Sequence, residues 1–278
     1  MSKLFSIFGD PVSHSRSPLM HNSVFKTLNY DAKYTRTHLK NGSKLRQTFI
    51  NLKLSGANIT VPHKEEAFKA CDEVRGFAKQ IGVVNTIVNE NGKLIGYNTD
   101  ADGFMYAISE FSSINNVLVL GAGGTAKALV NRFLQDGINV TVVNRSDARL
   151  EYFRNLNAKN AKKVFKKVKG KLGALEDLNV LNIQTFTWDT FEVTEYDLVV
   201  NTTSAGLKDN NLPAPKKLID SILNNTSYVA DAIYGKLTPF LQMAKDKNII
   251  YKDGADMLLA QGILANELFV NHTLKKED

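Results

Sequence analysis

Four apolar residues, Val117, Leu118, Val119 and Leu120, run straight into Gly121, Ala122, Gly123, Gly124, Thr125 and Ala126. This is the pattern of an apolar strand entering a glycine turn, and the small and apolar residues beyond it, as far as Leu134, carry helical spacing. Glycines at such a turn let the backbone approach a pyrophosphate, while the helix N-terminus presents free N–H groups and a favourable dipole. A second apolar run, Val140, Thr141, Val142 and Val143, closes a strand–helix–strand unit of about 30 residues, the size of a dinucleotide-binding unit. The motif reads G-x-G-x-x-A, with Ala126 in the third place, a variant the fingerprint permits. It starts near residue 117, so a whole domain precedes it.

Asn144, Arg145 and Ser146 follow the second strand directly, with Arg149 four residues beyond Arg145. An NAD-binding unit usually places an acid here for the ribose 2′-hydroxyl, whereas a nearby Arg accommodates a 2′-phosphate. No carboxylate ends this strand, and two guanidiniums, which grip phosphate as a bidentate fork, stand in its place. The expected cofactor is therefore NADP; the plainer alternative is that both arginines only solvate the first turn of a helix.

A length of 278 residues suits one large or two modest domains, and 43% hydrophobic with 23% charged residues is ordinary for a globular protein. No apolar run approaches the roughly 20 residues of a membrane span, and the N-terminus is too short in apolar residues and too early in acid for a signal peptide. The one cysteine, Cys71, excludes an internal disulfide and supplies no metal cluster. Cytoplasm fits this usage. The net charge of +7 hints at nucleic acid, yet lysines 159, 162, 163, 166, 167, 169 and 171 account for all of it. One local segment without aromatic interleaving of the kind that stacks bases reads as a solvated helix or loop rather than a nucleic-acid surface. No nucleic-acid and no membrane partner is expected.

Alternating strand and helix signals fill the rest of the chain. Residues 4–8, 32–37 and 56–62 read as strands, 19–28 and 43–54 as helices, and 65–71 and 72–80 as helical pieces. Residues 83–89 and 94–97 flank Asn91 and Gly92, a strong hairpin signal. Residues 102–111 lead into the nucleotide unit, 197–200 and 228–233 continue its sheet, and 238–247 and 257–269 are helical. Such alternation implies a parallel, doubly wound sheet. The stretch 155–190 is Lys/Asn-rich and then mixed, with no clear period.

The segments before and after the nucleotide unit then decide between families. Ser13-His14-Ser15-Arg16-Ser17-Pro18, Ala57-Asn58-Ile59-Thr60-Val61-Pro62-His63-Lys64-Glu65, Val84-Asn85-Thr86 and Asn98-Thr99-Asp100 occur in this order. Gly121 to Ala126, Asn144-Arg145-Ser146, Asn201-Thr202-Thr203-Ser204-Ala205-Gly206, Tyr234, Asp253-Gly254 and Gln261 follow in register. The chain resembles the shikimate dehydrogenase family, from residue 4 to about 270. The resemblance implies an α/β fold of two domains with a cleft between them. The N-terminal α/β substrate domain would take residues 1–101, completed by C-terminal helices in 240–278, and a doubly wound Rossmann-type NADP-binding domain would take 102–239. It implies NADPH-dependent, reversible reduction of 3-dehydroshikimate to shikimate, a step of aromatic amino-acid biosynthesis, in a monomer or homodimer whose partner is the small-molecule substrate. Two departures stand out: Ser146 replaces a threonine, and the lysine-rich stretch 158–182 is longer than the usual connection and is expected on the nucleotide domain.

The matched residues suit the chemistry. Hydride delivery to a ketone carbon makes an alkoxide, which needs a proton or a cation beside it. The resemblance assigns Lys64 and Asp100 as catalytic pair, the lysine at the carbonyl oxygen and the carboxylate orienting it. A carboxylate neighbour favours the ammonium, so in the oxidative direction a proton must leave first and activity should rise with pH. Ser13 and Ser15 can hydrogen-bond the substrate carboxylate together if their loop is extended. Asn58, Thr60, Asn85, Asp100 and Gln261 are implied for the ring hydroxyls, and Tyr234 for the carboxylate; any of these can equally satisfy buried backbone groups or pack. Thr202, Thr203, Ser204, Gly254 and Met257 are implied beside the nicotinamide, mostly by backbone. No metal is implied. Two other readings remain open from sequence: an NAD-linked quinate/shikimate dehydrogenase, and a catalytically silent NADP-binding regulator of the same fold.

Overall fold

The computed structural model describes residues 2–158 and 183–273. The chain divides into two compact units, Met1–Tyr106 with Asp256–Asp278, and Ala107–Ala255.

The first unit holds a six-stranded sheet in the order β2-β1-β3-β5-β6-β4. Its strands are β1 (Lys3–Gly9), β2 (Ala32–His38), β3 (Gly56–Ile59), β4 (Glu73–Val74), β5 (Thr86–Glu90) and β6 (Lys93–Tyr97). β1 runs parallel to both neighbours, whereas β5 is antiparallel to β3 and β6. The β5–β6 hairpin turns on Asn91 and Gly92, at φ 53° and 87°, the left-handed conformations an Asn-Gly turn supplies cheaply. Helices α1 (Ser17–Thr27), α2 (Leu45–Asn51), α3 (Lys64–Ala70), α4 (Gly76–Ile81), α5 (Asp100–Ala107) and the C-terminal helix, α10 (Ala255–Thr273), complete it. Successive side chains of β1 point to opposite faces. Phe8 therefore joins Leu45, Phe49, Ile59 and Ile87 in one core, while Phe5 and Ile7 join Phe25, Tyr34 and Phe269 in the other. The Phe269 ring lies tilted against that of Phe5, centroids 4.7 Å apart, the contact that packs α10 onto β1.

Two expectations change here. The proposed helix 43–54 is a 3-10 turn (Gly42–Lys44) followed by α2, because Lys53 takes φ 51° and breaks off the spiral. The proposed helical piece 72–80 opens as β4, whose residues pair with Ile95 and Gly96 of β6, while the Asp72 carboxylate accepts from the Leu94 N–H.

The second unit is all parallel, in the order β12-β11-β10-β7-β8-β9. Its elements are β7 (Asn116–Leu120), α6 (Gly124–Gln135), β8 (Asn139–Asn144), α7 (151–158), β9 (Ile183–Thr187), β10 (Tyr196–Asn201), α8 (Lys216–Leu223), β11 (Thr226–Asp231), α9 (Pro239–Asp246) and β12 (Ile250–Lys252). Read by strand number within the unit this is 3-2-1-4-5-6, the doubly wound Rossmann order, whose ligand crevice opens where the order reverses, here between β7 and β10. β9, β12, β4 and α8 had no sequence assignment as such. β12 also moves the expected domain boundary: its pairing with β11, and the packing of α9 on the same core, keep residues 240–255 in the second unit, so the return comes at 256 rather than 240. At the other boundary α5 carries the first unit on to Tyr106 instead of 101. The lysine-rich stretch falls almost wholly outside the described residues. Among the described residues no helix is long and apolar enough to cross a membrane.

Candidate active site

Lys64 and Asp100 each begin a helix, α3 and α5. An N-terminal turn suits the carboxylate and opposes the ammonium, and Glu65 and Glu66 follow Lys64 in its first turn. Lys64 Nζ donates to Asp100 Oδ2 at 2.6 Å, with side-chain exposures of only 11% and 6%. The other carboxylate oxygen, Oδ1, accepts from Asn85 Nδ2 at 2.9 Å, and the Asp100 N–H is held by Asn98 Oδ1. The backbone ties the same groups: Val84 N–H donates to the Lys64 carbonyl.

Asn85 is fully committed. Its amide donates to Thr99 Oγ1 as well as Asp100, and its oxygen accepts from the Thr99 N–H and the Thr86 hydroxyl. Thr86 Oγ1 accepts from Asn58 Nδ2, whose oxygen accepts from the Tyr34 hydroxyl at 2.6 Å. One hydrogen-bonded line thus runs Tyr34, Asn58, Thr86, Asn85, Asp100, Lys64. Thr99 Oγ1 also donates to the carbonyl of Gln261, joining α10 to it. Thr60 lies one residue past β3, half-buried, its N–H on the Phe8 carbonyl.

The serine loop differs from expectation. Residues 13 and 14 form a turn closed by Ser15 N–H on the Val12 carbonyl, so Ser13 and Ser15 do not alternate along an extended strand. Ser13 is exposed and Ser15 buried. Ser15 Oγ accepts from the Ser17 N–H, and Arg36 donates from Nε and Nη2 to the Ser15 carbonyl, at 2.9 and 2.6 Å. Tyr34, Arg36, Thr86 and Thr99 were not singled out in the sequence. Thr86 and Thr99 stood inside quoted motifs; Tyr34 and Arg36 sat in a weakly alternating strand that gave no chemical signal.

In the second unit the glycine turn behaves as its spacing predicts. Gly121 has φ 106°, and a Cβ there would lie 2.8 Å from Thr202 Oγ1 and from Thr203 Cγ2. Only glycine lets the loops after β7 and β10 come this close, where Thr202 Oγ1 donates to the Leu120 carbonyl. Gly123, before the first turn of α6, faces open space, and Ala126 is buried against the sheet. The half-buried Gly124 and Thr125 form the helix start, Ala122 is buried, and Ser204 is exposed. Asn144 ends β8 with its amide on the Ser146 carbonyl. Arg145, Ser146 and Arg149 are exposed, and no carboxylate pairs with either arginine among the described residues. The nearby acid Asp147 is taken by Arg154, which donates to both its oxygens. An open helix start and two uncommitted guanidiniums therefore fit a dinucleotide with an added phosphate. Tyr234 and Gly254 lie on loops of this unit, whereas Met257 is buried in α10 of the first.

Comparison with known proteins follows this division. Residues 7–87 match the family described as shikimate dehydrogenase substrate binding domain. The chain is 40% identical, over 99% of its length and 94% of the relative's, to a shikimate dehydrogenase (NADP(+)) of Helicobacter hepaticus. It belongs to the shikimate dehydrogenase family. Shikimate dehydrogenase of Aquifex aeolicus has a similar structure, with TM-score 0.75 at 31% identity, covering 97% of this chain and 93% of that one. A Thermus thermophilus shikimate 5-dehydrogenase in complex with NADP(H) and shikimate matches with TM-score 0.73 at 28% identity, covering 97% and 94%.

Proposed function

We propose that this chain is an NADP-dependent shikimate dehydrogenase that reduces 3-dehydroshikimate to shikimate reversibly. The observation that carries the chemistry is the Lys64–Asp100 ion pair, nearly buried and held at both ends by Asn85 and α3. NADPH, when bound, supplies the hydride. Lys64 holds its ammonium against the ketone oxygen and passes a proton to it as negative charge develops, so ketone plus hydride plus proton gives the secondary alcohol. Asp100 keeps the ammonium in place. Asn85 fixes Asp100, and any direct bond to a ring hydroxyl exchanges one of its four internal ones.

Asn58, Thr60 and Gln261 serve the ring hydroxyls, and Ser13, Ser15 and Tyr234 the substrate carboxylate. Gly121 to Ala126 cradle the pyrophosphate, Asn144, Arg145, Ser146 and Arg149 take the 2′-phosphate end, and Thr202, Thr203, Ser204, Gly254 and Met257 the nicotinamide end. A cytoplasmic setting belongs to the same reading, since the chain's one cysteine cannot form an internal disulfide.

Absorbance assays with shikimate or quinate, each with NADP+ or NAD+, test this directly. Rapid NADPH formation from shikimate and NADP+ is expected. A clear NAD+ preference would return the choice to the NAD-linked enzyme, and no turnover in any combination would leave only the silent regulator.

A further inference from the structure

Asp231 ends β11 and is 1% exposed, yet none of the roles above uses it. Its carboxylate accepts three donors: Asn201 Nδ2 at 3.1 Å and the Ile233 N–H at 3.0 Å on Oδ1, and the Thr238 hydroxyl at 2.7 Å on Oδ2. Asn201, fully buried at the end of β10, turns its own oxygen the other way, accepting from the Thr203 N–H at 2.9 Å and the Thr203 hydroxyl at 2.8 Å. The Asn201 amide is therefore fixed at both ends. Flipping it would set its NH2 against two donors and its oxygen against a carboxylate. Backbone bonds run in parallel: Ala232 N–H donates to the Asn201 carbonyl, and Gly254 N–H to that of Ile233.

We propose that Asp231 is the positioning residue for cofactor binding, setting the loop 201–204 through Asn201 and the Gly254 turn through Ile233, from whose N–H it accepts. This rests on the reading that both segments face NADP(H). A carboxylate accepts from all three; an amide keeps an oxygen for the two donors on Oδ1 and turns its NH2 on the Thr238 hydroxyl, which can accept, whereas an alanine leaves the Asn201 amide and the Ile233 N–H without this acceptor. Burial opposes the charge, pushing the Asp231 carboxyl up to about 6, and the Asp253 carboxylate adds repulsion. A carboxylate kept at such a position against its desolvation cost is a feature to explain by orientation rather than by stability.

The test is NADPH affinity, read by fluorescence titration without turnover, beside KM for NADP+ and for shikimate. Asp231→Ala should weaken NADPH at least tenfold and raise KM for NADP+ in step, with KM for shikimate within about threefold. Asp231→Asn keeps an oxygen for Asn201 and Ile233, and should bind NADPH within about threefold of the parent. If Asp231→Ala does not fold, Asn201→Asp carries the test. It sets two carboxylates together, in place of the donor that Asp231 Oδ1 accepts, and should lose NADPH affinity at least tenfold. The proposal is overturned if folded Asp231→Ala or Asn201→Asp binds NADPH within twofold of the parent, or if both KM values rise equally. A parent protein that binds NADPH but turns over no shikimate defeats the substrate assignment alone; one that binds no NADPH defeats both.

Discussion

Lys64 Nζ lies 2.6 Å from Asp100 Oδ2 although 36 residues separate them in the chain. Each stands at the first residue of its own helix, and Val84 and Asn85 bridge the two from the strand side. Breaking such a pair removes a charge partner and leaves the other charge buried. Lys64→Ala should therefore lower kcat by about two to four orders of magnitude, with KM for shikimate changing little. It should also cost about 3–5 kcal/mol of stability, the penalty for a buried charge left unpaired. Steady-state rates and urea midpoints check both, and a variant retaining most of its turnover removes Lys64 from the chemistry.

Arg145 and Arg149 stand exposed at the end of β8 while Arg154 occupies the neighbouring acid, Asp147. Each charge-assisted hydrogen bond to phosphate is worth about 1.5–3 kcal/mol. Arg145→Ala should raise KM for NADP+ by about ten- to a hundredfold and leave the rate with NAD+ unchanged. Equal effects on the two cofactors would show that the guanidinium does not read the 2′-phosphate.

The serine loop offers a contrast between two neighbours. Ser13 is exposed, so Ser13→Ala should raise KM for shikimate and leave Tm within about a degree, since surface substitutions rarely exceed about 0.5 kcal/mol. Arg36→Leu frees the Ser15 carbonyl from two donors, and should raise KM for shikimate while lowering Tm. An unchanged KM in both would separate this loop from substrate binding.

His21 is fully buried, stacked 4.2 Å from Tyr34, with Nδ1 on Asn266. Burial lowers its imidazole to about 4 from 6.5. Between these values the unfolded chain binds a proton that the folded one does not, so stability falls as pH drops from about 6.5 towards 4. At pH 4.5 the loss is about 2–3 kcal/mol. Denaturant titrations of the parent and of His21→Gln at pH 7 and 4.5 measure it; the same pH slope in both would assign the effect to other groups.

Legibility followed the distance over which each signal acts. The Asn91-Gly92 hairpin, the glycine turn at 121 and the amphipathic α6 are written in neighbouring residues, since turn chemistry and periodicity are local. The Lys64–Asp100 pair was legible only through the family motifs that contain its members. β4, β9 and β12 are too short or too polar to carry a period, and exist through pairing with β6, β8 and β11. The expected return at 240 missed by sixteen residues for the same reason: nothing in residues 250–252 announces that β11 has an open edge.

The sequence by itself determined the strand–turn–helix at residues 117–134, the arginines beyond the next strand and the order of the family's motifs. These depend on residues a few positions apart, where backbone geometry leaves few choices. Only the tertiary structure decided that Tyr34 orients Asn58, that Asn85 spends all its hydrogen bonds internally, and that Asp231 steers Thr203 through Asn201. A buried polar group takes whichever partners packing brings to it, and those partners lie tens of residues away, where no local pattern records them.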